Sequence, residues 1–123
     1  MAAHAFEMGA SSFGEPQSSF LSARRVSELL GVTQAELAKL IGVARNTLTA
    51  KSGARKVDAA LSPVVRILAM ASEMAGNENR AAIWFKHQPI PGWAGKTAYD
   101  LVGEGKADKV LAYLEAVSSG VYA

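Results

Sequence analysis

Arg45, Asn46 and Thr49 are the side chains of this 123-residue chain best suited to reading the edge of a base. An arginine can hold guanine through two parallel hydrogen bonds, an asparagine can do the same with adenine, and a threonine hydroxyl suits base or phosphate. In a helix the spacing 45, 46, 49 places all three on one face. Lys51, Arg55 and Lys56 follow at once and suit backbone phosphates, which position a protein on a duplex without reading its sequence. Gln34 is a further hydrogen-bonding side chain at the start of the same stretch.

The charge pattern points to the same partner. Residues 24–56 carry seven Lys and Arg against Glu28 and Glu36, a net +5, whereas residues 1–23 sum to −2 and residues 57–123 to −1. Positive charge gathered in one third of a chain fits a phosphate backbone. Other chemistries are excluded more simply. There is no cysteine, which removes disulfides, thiolate metal sites and cysteine nucleophiles. His4 and His87 stand far apart, so neither a metal centre nor a cofactor is expected. Paired carboxylates, a nucleophile with its base and a phosphate-cradling glycine loop are all missing, so the chain does not read as an enzyme.

The elements that must position these residues are helical, and an all-α fold is expected. Residues 1–22, rich in Ser, Gly and Ala, read as a flexible leader with no secretory signal. No stretch approaches the roughly 20 apolar residues of a membrane helix, which makes the protein soluble and cytoplasmic by expectation. The spacing predicts a first helix over 23–30, stopped by Gly31. Thr33-Gln34-Ala35-Glu36 is a capping box that starts a second, with Leu37, Leu40 and Ile41 as its apolar stripe. Gly42 ends it, and a third runs from Ala44 to about Ser52. Ser62-Pro63 reads as the start of a fourth, in which Val64, Ile67, Leu68, Ala71 and Met74 repeat at helical spacing. Residues 78–85 form a fifth, ending in Ile83-Trp84-Phe85. The stretch KHQPIPGWAGK, residues 86–96, is a loop because two prolines and two glycines forbid a helix. Thr97 opens a short helix broken by Gly103 and Gly105, and residues 106–119 form the last, capped by Gly120.

Residues 34–53, QAELAKLIGVARNTLTAKSG, resemble the helix-turn-helix of Xre/Cro-type repressors. Ala38 is small where the two helices cross, Gly42 permits the tight turn, and Leu37, Ile41, Val43 and Leu48 fill the wedge. One residue departs from the pattern. Lys51 stands where such repressors carry a hydrophobic residue, so its stem must pack while its ammonium reaches water. A less firmly seated recognition helix makes affinity depend on dimerisation.

The C-terminal stretch PIPGWAGKTAYDLVGEGKADKVLAYLEAVSSGVYA, preceded by Trp84, resembles the toxin-binding domain of Xre/MbcA/ParS-like antitoxins. The two resemblances together imply a type II antitoxin of the RES–Xre kind. The parts would be the leader (1–22), the helix-turn-helix region (23–60), and a linking or dimerisation helix with the toxin-binding domain (61–123). The implied partners are a RES-domain toxin that degrades NAD, operator DNA, and a second copy of the chain within a larger complex. The resemblance makes Gly120, Val121, Tyr122 and Ala123 a tail that occludes the NAD site. There an aromatic ring and a terminal carboxylate could replace nucleotide and phosphate. Trp93, between glycines in the loop, and Lys96 are the other candidate toxin contacts, although Trp93, Trp84 and Tyr99 could equally be core. The alternative is a stand-alone dimeric Xre-family transcriptional regulator.

Overall fold

The computed structural model describes residues 22–50 and 53–120, and of Thr49 the backbone alone. Among these residues the chain forms seven helices: α1 (Ala23–Leu30), α2 (Gln34–Ile41), α3 (Arg45–Thr49), α4 (Ala54–Ala75), α5 (Glu78–His87), α6 (Ala98–Gly103) and α7 (Ala107–Ser118). The all-α expectation holds. The extended pairing among the described residues is one isolated antiparallel bridge between Pro89 and Thr97.

Local chemistry sets most boundaries. Ser22 caps α1 by accepting from the Arg25 amide at 3.2 Å. The Thr33 hydroxyl accepts from the Glu36 amide at 3.0 Å, and the Glu36 carboxylate accepts from the Thr33 amide at 2.9 Å. The same reciprocal box opens α6, between Thr97 and Asp100. Asn77 caps α5 through the Arg80 amide at 2.8 Å. Each cap satisfies amides that a new helix leaves without partners.

Besides α5, which runs on through Lys86 and His87 where the sequence reading already begins the loop, two boundaries differ from the sequence reading by more than one residue. Ser62-Pro63 does not start a helix: α4 begins at Ala54 and carries Pro63 inside it. Proline removes one N–H and crowds the carbonyl four residues back, that of Ala59. Ala59 is exposed, so water can serve that carbonyl. Burial of Val57, Leu61, Val64, Val65 and Leu68 along one face keeps the helix continuous across the ring. The second difference is in α3, which ends at Thr49 rather than Ser52, with Ala50 already extended. Threonine and asparagine are weak helix formers, and the segment has no apolar stripe to hold a longer helix.

A single hydrophobic core runs through the described residues. It joins Val26, Leu30, Leu37 and Leu40 from α1 and α2 to Leu61, Ile67, Leu68, Phe85, Ile90, Leu101, Val110 and Leu114. The long helix α4 is its axis, packing chiefly on α5 and α7 and reaching α3 with its first turns. Phe85 is fully buried and meets Tyr99 edge to face, with ring centroids 6.0 Å apart. Not every predicted apolar stripe is inward. Ile83 is 62% exposed and Met74 45%.

Candidate functional site

The helix-turn-helix is built from α2, the turn at Gly42 and α3. Gly42 has φ +78, a left-handed conformation that glycine adopts without penalty. The Val43 amide donates to the Ala38 carbonyl at 3.0 Å, folding the chain back onto α2. Ala38 and Leu37 are buried and Leu48 packs against the core, so the turn is held from inside.

This arrangement leaves Arg45 and Asn46 exposed on the first turn of α3, where base-reading side chains need to be. Arg55 and Lys56 are exposed on the first turn of α4, and Gln34, half-buried, begins α2. Cationic and amide side chains thus stand in the first turns of three helices, α2, α3 and α4. Of the other predicted DNA contacts, Lys51 and the side chain of Thr49 lie outside the described residues.

The joint between α3 and α4 is unusually close. A Cβ placed on Gly53 would lie 2.6 Å from the Thr47 carbonyl oxygen and 2.8 Å from its methyl carbon. No sequence pattern announced this; the glycine is needed for space rather than for its φ of −92.

The C-terminal loop is ordered by its own backbone. The Ile90 amide donates to the Lys96 carbonyl at 2.8 Å, and the Lys96 amide to the Trp93 carbonyl at 3.0 Å. Ile90 is buried and anchors the loop, while Ala94 takes a positive φ of 53. Trp93 is half-buried against the core, with the Lys106 ammonium 5.5 Å from its ring centroid. Lys106 and Lys96 both reach Glu104, at 3.3 Å and 2.8 Å. Lys96 is thus tied into an ion-pair network beside Trp93. Its hydrogen bond holds the Glu104 carboxyl below the usual carboxylate range.

Gly120, exposed and with φ +84, closes α7. The tail residues Val121, Tyr122 and Ala123 lie outside the described residues. Beside the last turns of α7, Leu114 joins Ala71, Met74, Ala75 and Trp84 around an apolar hollow of about 200 Å³. The sequence reading missed this surface, because both residues sit at ordinary core spacing, whereas Met74 is exposed and Trp84 only half-buried.

The two ends of the molecule meet where α6 crosses α2. Glu36, Lys39, Leu40, Tyr99, Asp100 and Gly103 line a cleft of about 340 Å³ there. Burial, with the nearby negative charges of Glu36 and Asp100, raises the Tyr99 hydroxyl above its ordinary value. Glu36 is lowered, first by the hydrogen bond from the Thr33 amide. Among the described residues, no group of three or more His, Asp and Glu could hold a metal ion. No single helix among them is long and apolar enough to cross a membrane.

Comparison with known protein families gives two matches. The family model of the antitoxin Xre-like helix-turn-helix domain matches residues 17–65. That of the antitoxin Xre/MbcA/ParS C-terminal toxin-binding domain matches residues 70–120. A search of curated proteins and a search of solved structures each found no match.

Proposed function

From the premise that this chain belongs to the Xre-type antitoxins, with a helix-turn-helix followed by an Xre/MbcA/ParS toxin-binding domain, we propose that it neutralises a RES-domain toxin that consumes NAD and represses its own operon. A type II antitoxin has a toxin and DNA as partners, and the finer reading assigns each a surface. Gln34, Arg45, Asn46, Thr49, Lys51, Arg55 and Lys56 meet the operator. Trp93, Lys96 and the tail from Gly120 to Ala123 meet the toxin, with Tyr122 and the terminal carboxylate occluding its NAD site. The protein acts in the cytoplasm as a homodimer within a larger complex. It needs no cofactor and performs no catalysis.

The observation that carries this reading is the succession of the two matched domains along one continuous core. Exposed Arg45 and Asn46 stand at the helix-turn-helix end, and an ordered aromatic loop belongs to the other half. A toxin held by one half can thereby be delivered to, or withheld from, an operator read by the other.

The test is co-expression with the neighbouring toxin gene, with NAD followed in the cells and the purified complex weighed by native mass spectrometry. NAD maintained by the full chain and lost without it is expected. A homodimer that binds DNA and spares no NAD would instead establish the stand-alone regulator.

A further inference from the structure

Gly53, we infer, is a positioning residue for DNA reading: the absence of a side chain there sets where α3 sits against the start of α4. The inference rests on the DNA-binding reading above and goes beyond it by naming a residue outside the DNA contacts proposed there. Gly53 has φ −92 and ψ 1, a backbone conformation open to any L-amino acid, so its conformation does not require glycine. Space does. An added Cβ would stand 2.6 Å from the Thr47 carbonyl oxygen, against about 3.4 Å for ordinary contact, so one wall must retreat by about 0.8 Å.

Which wall retreats follows from how each is held. The first turns of α4 are fixed by Val57 and Leu61, both in the core. By contrast, α3 has five residues, no side-chain cap on its first turn, and Leu48 only half-buried beneath it. The helix that yields is α3. Thr47 directly follows Asn46 in α3, so a short helix that yields as a unit carries Asn46 and Arg45 with it. Base-edge hydrogen bonds need a placement good to about half an ångström, and a displacement of 0.8 Å exceeds it. Arg55 and Lys56 remain on α4 and keep their phosphate contacts.

The consequence is a separation that ordinary destabilisation does not produce. Gly53→Ala should lose discrimination between the operator and unrelated duplex while keeping its affinity for unrelated duplex. The probe is an operator selected from random DNA duplexes by the full-length wild-type chain, with fluorescence anisotropy run at several salt concentrations. We expect operator affinity to fall about tenfold or more, which is the scale of one lost bidentate base contact. Unrelated-duplex affinity and its salt slope should stay within about twofold, because phosphate contacts set both. Thr47→Ser in the Gly53→Ala background removes the methyl at 2.8 Å but leaves the carbonyl, so it should recover part of the discrimination.

Wild-type discrimination in Gly53→Ala would overturn the inference. So would a parallel loss of operator binding, unrelated-duplex binding and toxin neutralisation, which marks general unfolding. A wild-type chain that selects no preferred site would overturn the DNA-reading premise itself, and this inference with it.

Discussion

Replacing Phe85 with alanine empties the centre of the packing that joins the two halves of the chain. Phe85 has no exposed surface, projects from α5 into the common core, and meets Tyr99 of α6 edge to face at 6.0 Å and 81°. Truncating a buried phenylalanine costs about 3–5 kcal/mol, through lost transfer energy and the cavity left behind. Roughly 0.5–1.5 kcal/mol of that belongs to the aromatic pair. For a unit of this size each kcal/mol lowers Tm by about 4–8 °C, so a fall of at least about 12 °C is expected. The informative point is the shape of the transition. Val26, Leu30, Leu37 and Leu40 share the cluster that contains Phe85, so helix loss by circular dichroism should remain one cooperative step at the lower temperature. Operator binding should vanish in that same step, although Phe85 lies outside the helix-turn-helix. Ile83→Ala, two residues away but 62% exposed, serves as control and should stay within about 0.5 kcal/mol of wild type. A melt that splits in two, with operator binding surviving the lower step, would refute the single-core reasoning.

Arg45→Ala should weaken operator binding by about 1–3 kcal/mol and leave toxin neutralisation intact; simultaneous loss of both in a folded variant would show that the two surfaces overlap. Lys56→Ala should weaken binding to every duplex alike and reduce the salt slope by about one, which anisotropy titrations at several salt concentrations will read. Removing residues 121–123, just beyond the Gly120 turn, should preserve DNA binding and restore NAD loss by the toxin; full protection of NAD by the truncated chain would end the occlusion reading. Acid should expose the carboxylate hydrogen bonds. The carboxyls of Glu36 and Glu104 both lie below the ordinary 4.5 in the folded protein, so their stabilisation is present above that value and is lost as pH falls through the folded values. Glu104→Gln should therefore be less stable at pH 7 and show a shallower decline as pH falls below 4.5; an acid limb unchanged from wild type would remove Glu104 as a contributor.

Elements marked by short-range chemistry were legible in the sequence. The Thr33–Glu36 box, the stops at Gly31 and Gly42, and the proline-glycine loop each work within a few residues, where capping and turn formation operate. The exposed pair Arg45 and Asn46 was legible for the same reason, since the capping box and turn fix the phase of the helix that follows. Pro63 misled because proline at a first turn and proline inside a helix differ only in what precedes them. Here the decisive fact is burial of Val57 and Leu61 by distant partners. The exposure of Ile83 and Met74, the Gly53–Thr47 contact and the cleft around Tyr99 were not legible at all. Each is set by the crossing of helices far apart in sequence, which periodicity does not specify.

The course of α4 bears on how one small chain can serve two partners. Its first turns close on α3, its middle carries Leu61, Val64 and Leu68 in the common core, and its end reaches the hollow with Met74, Trp84 and Leu114. A second connection runs through α6, which starts from the ordered loop and crosses α2 where Tyr99 and Gly103 meet Glu36 and Leu40. A helix-turn-helix joined by a flexible tether would feel a bound toxin mainly through local concentration. Two packed connections around one core are different, since cores and packed interfaces resist gradual deformation and pass strain on. A toxin that shifted the loop or α7 against α4 would change the seating of α3, the least anchored of the seven helices. By linkage, DNA on α3 would alter toxin affinity by the same factor. That factor is measured by titrating the toxin against the free chain and against the operator complex; equal affinities would mean that the shared core holds the two surfaces together without coupling them.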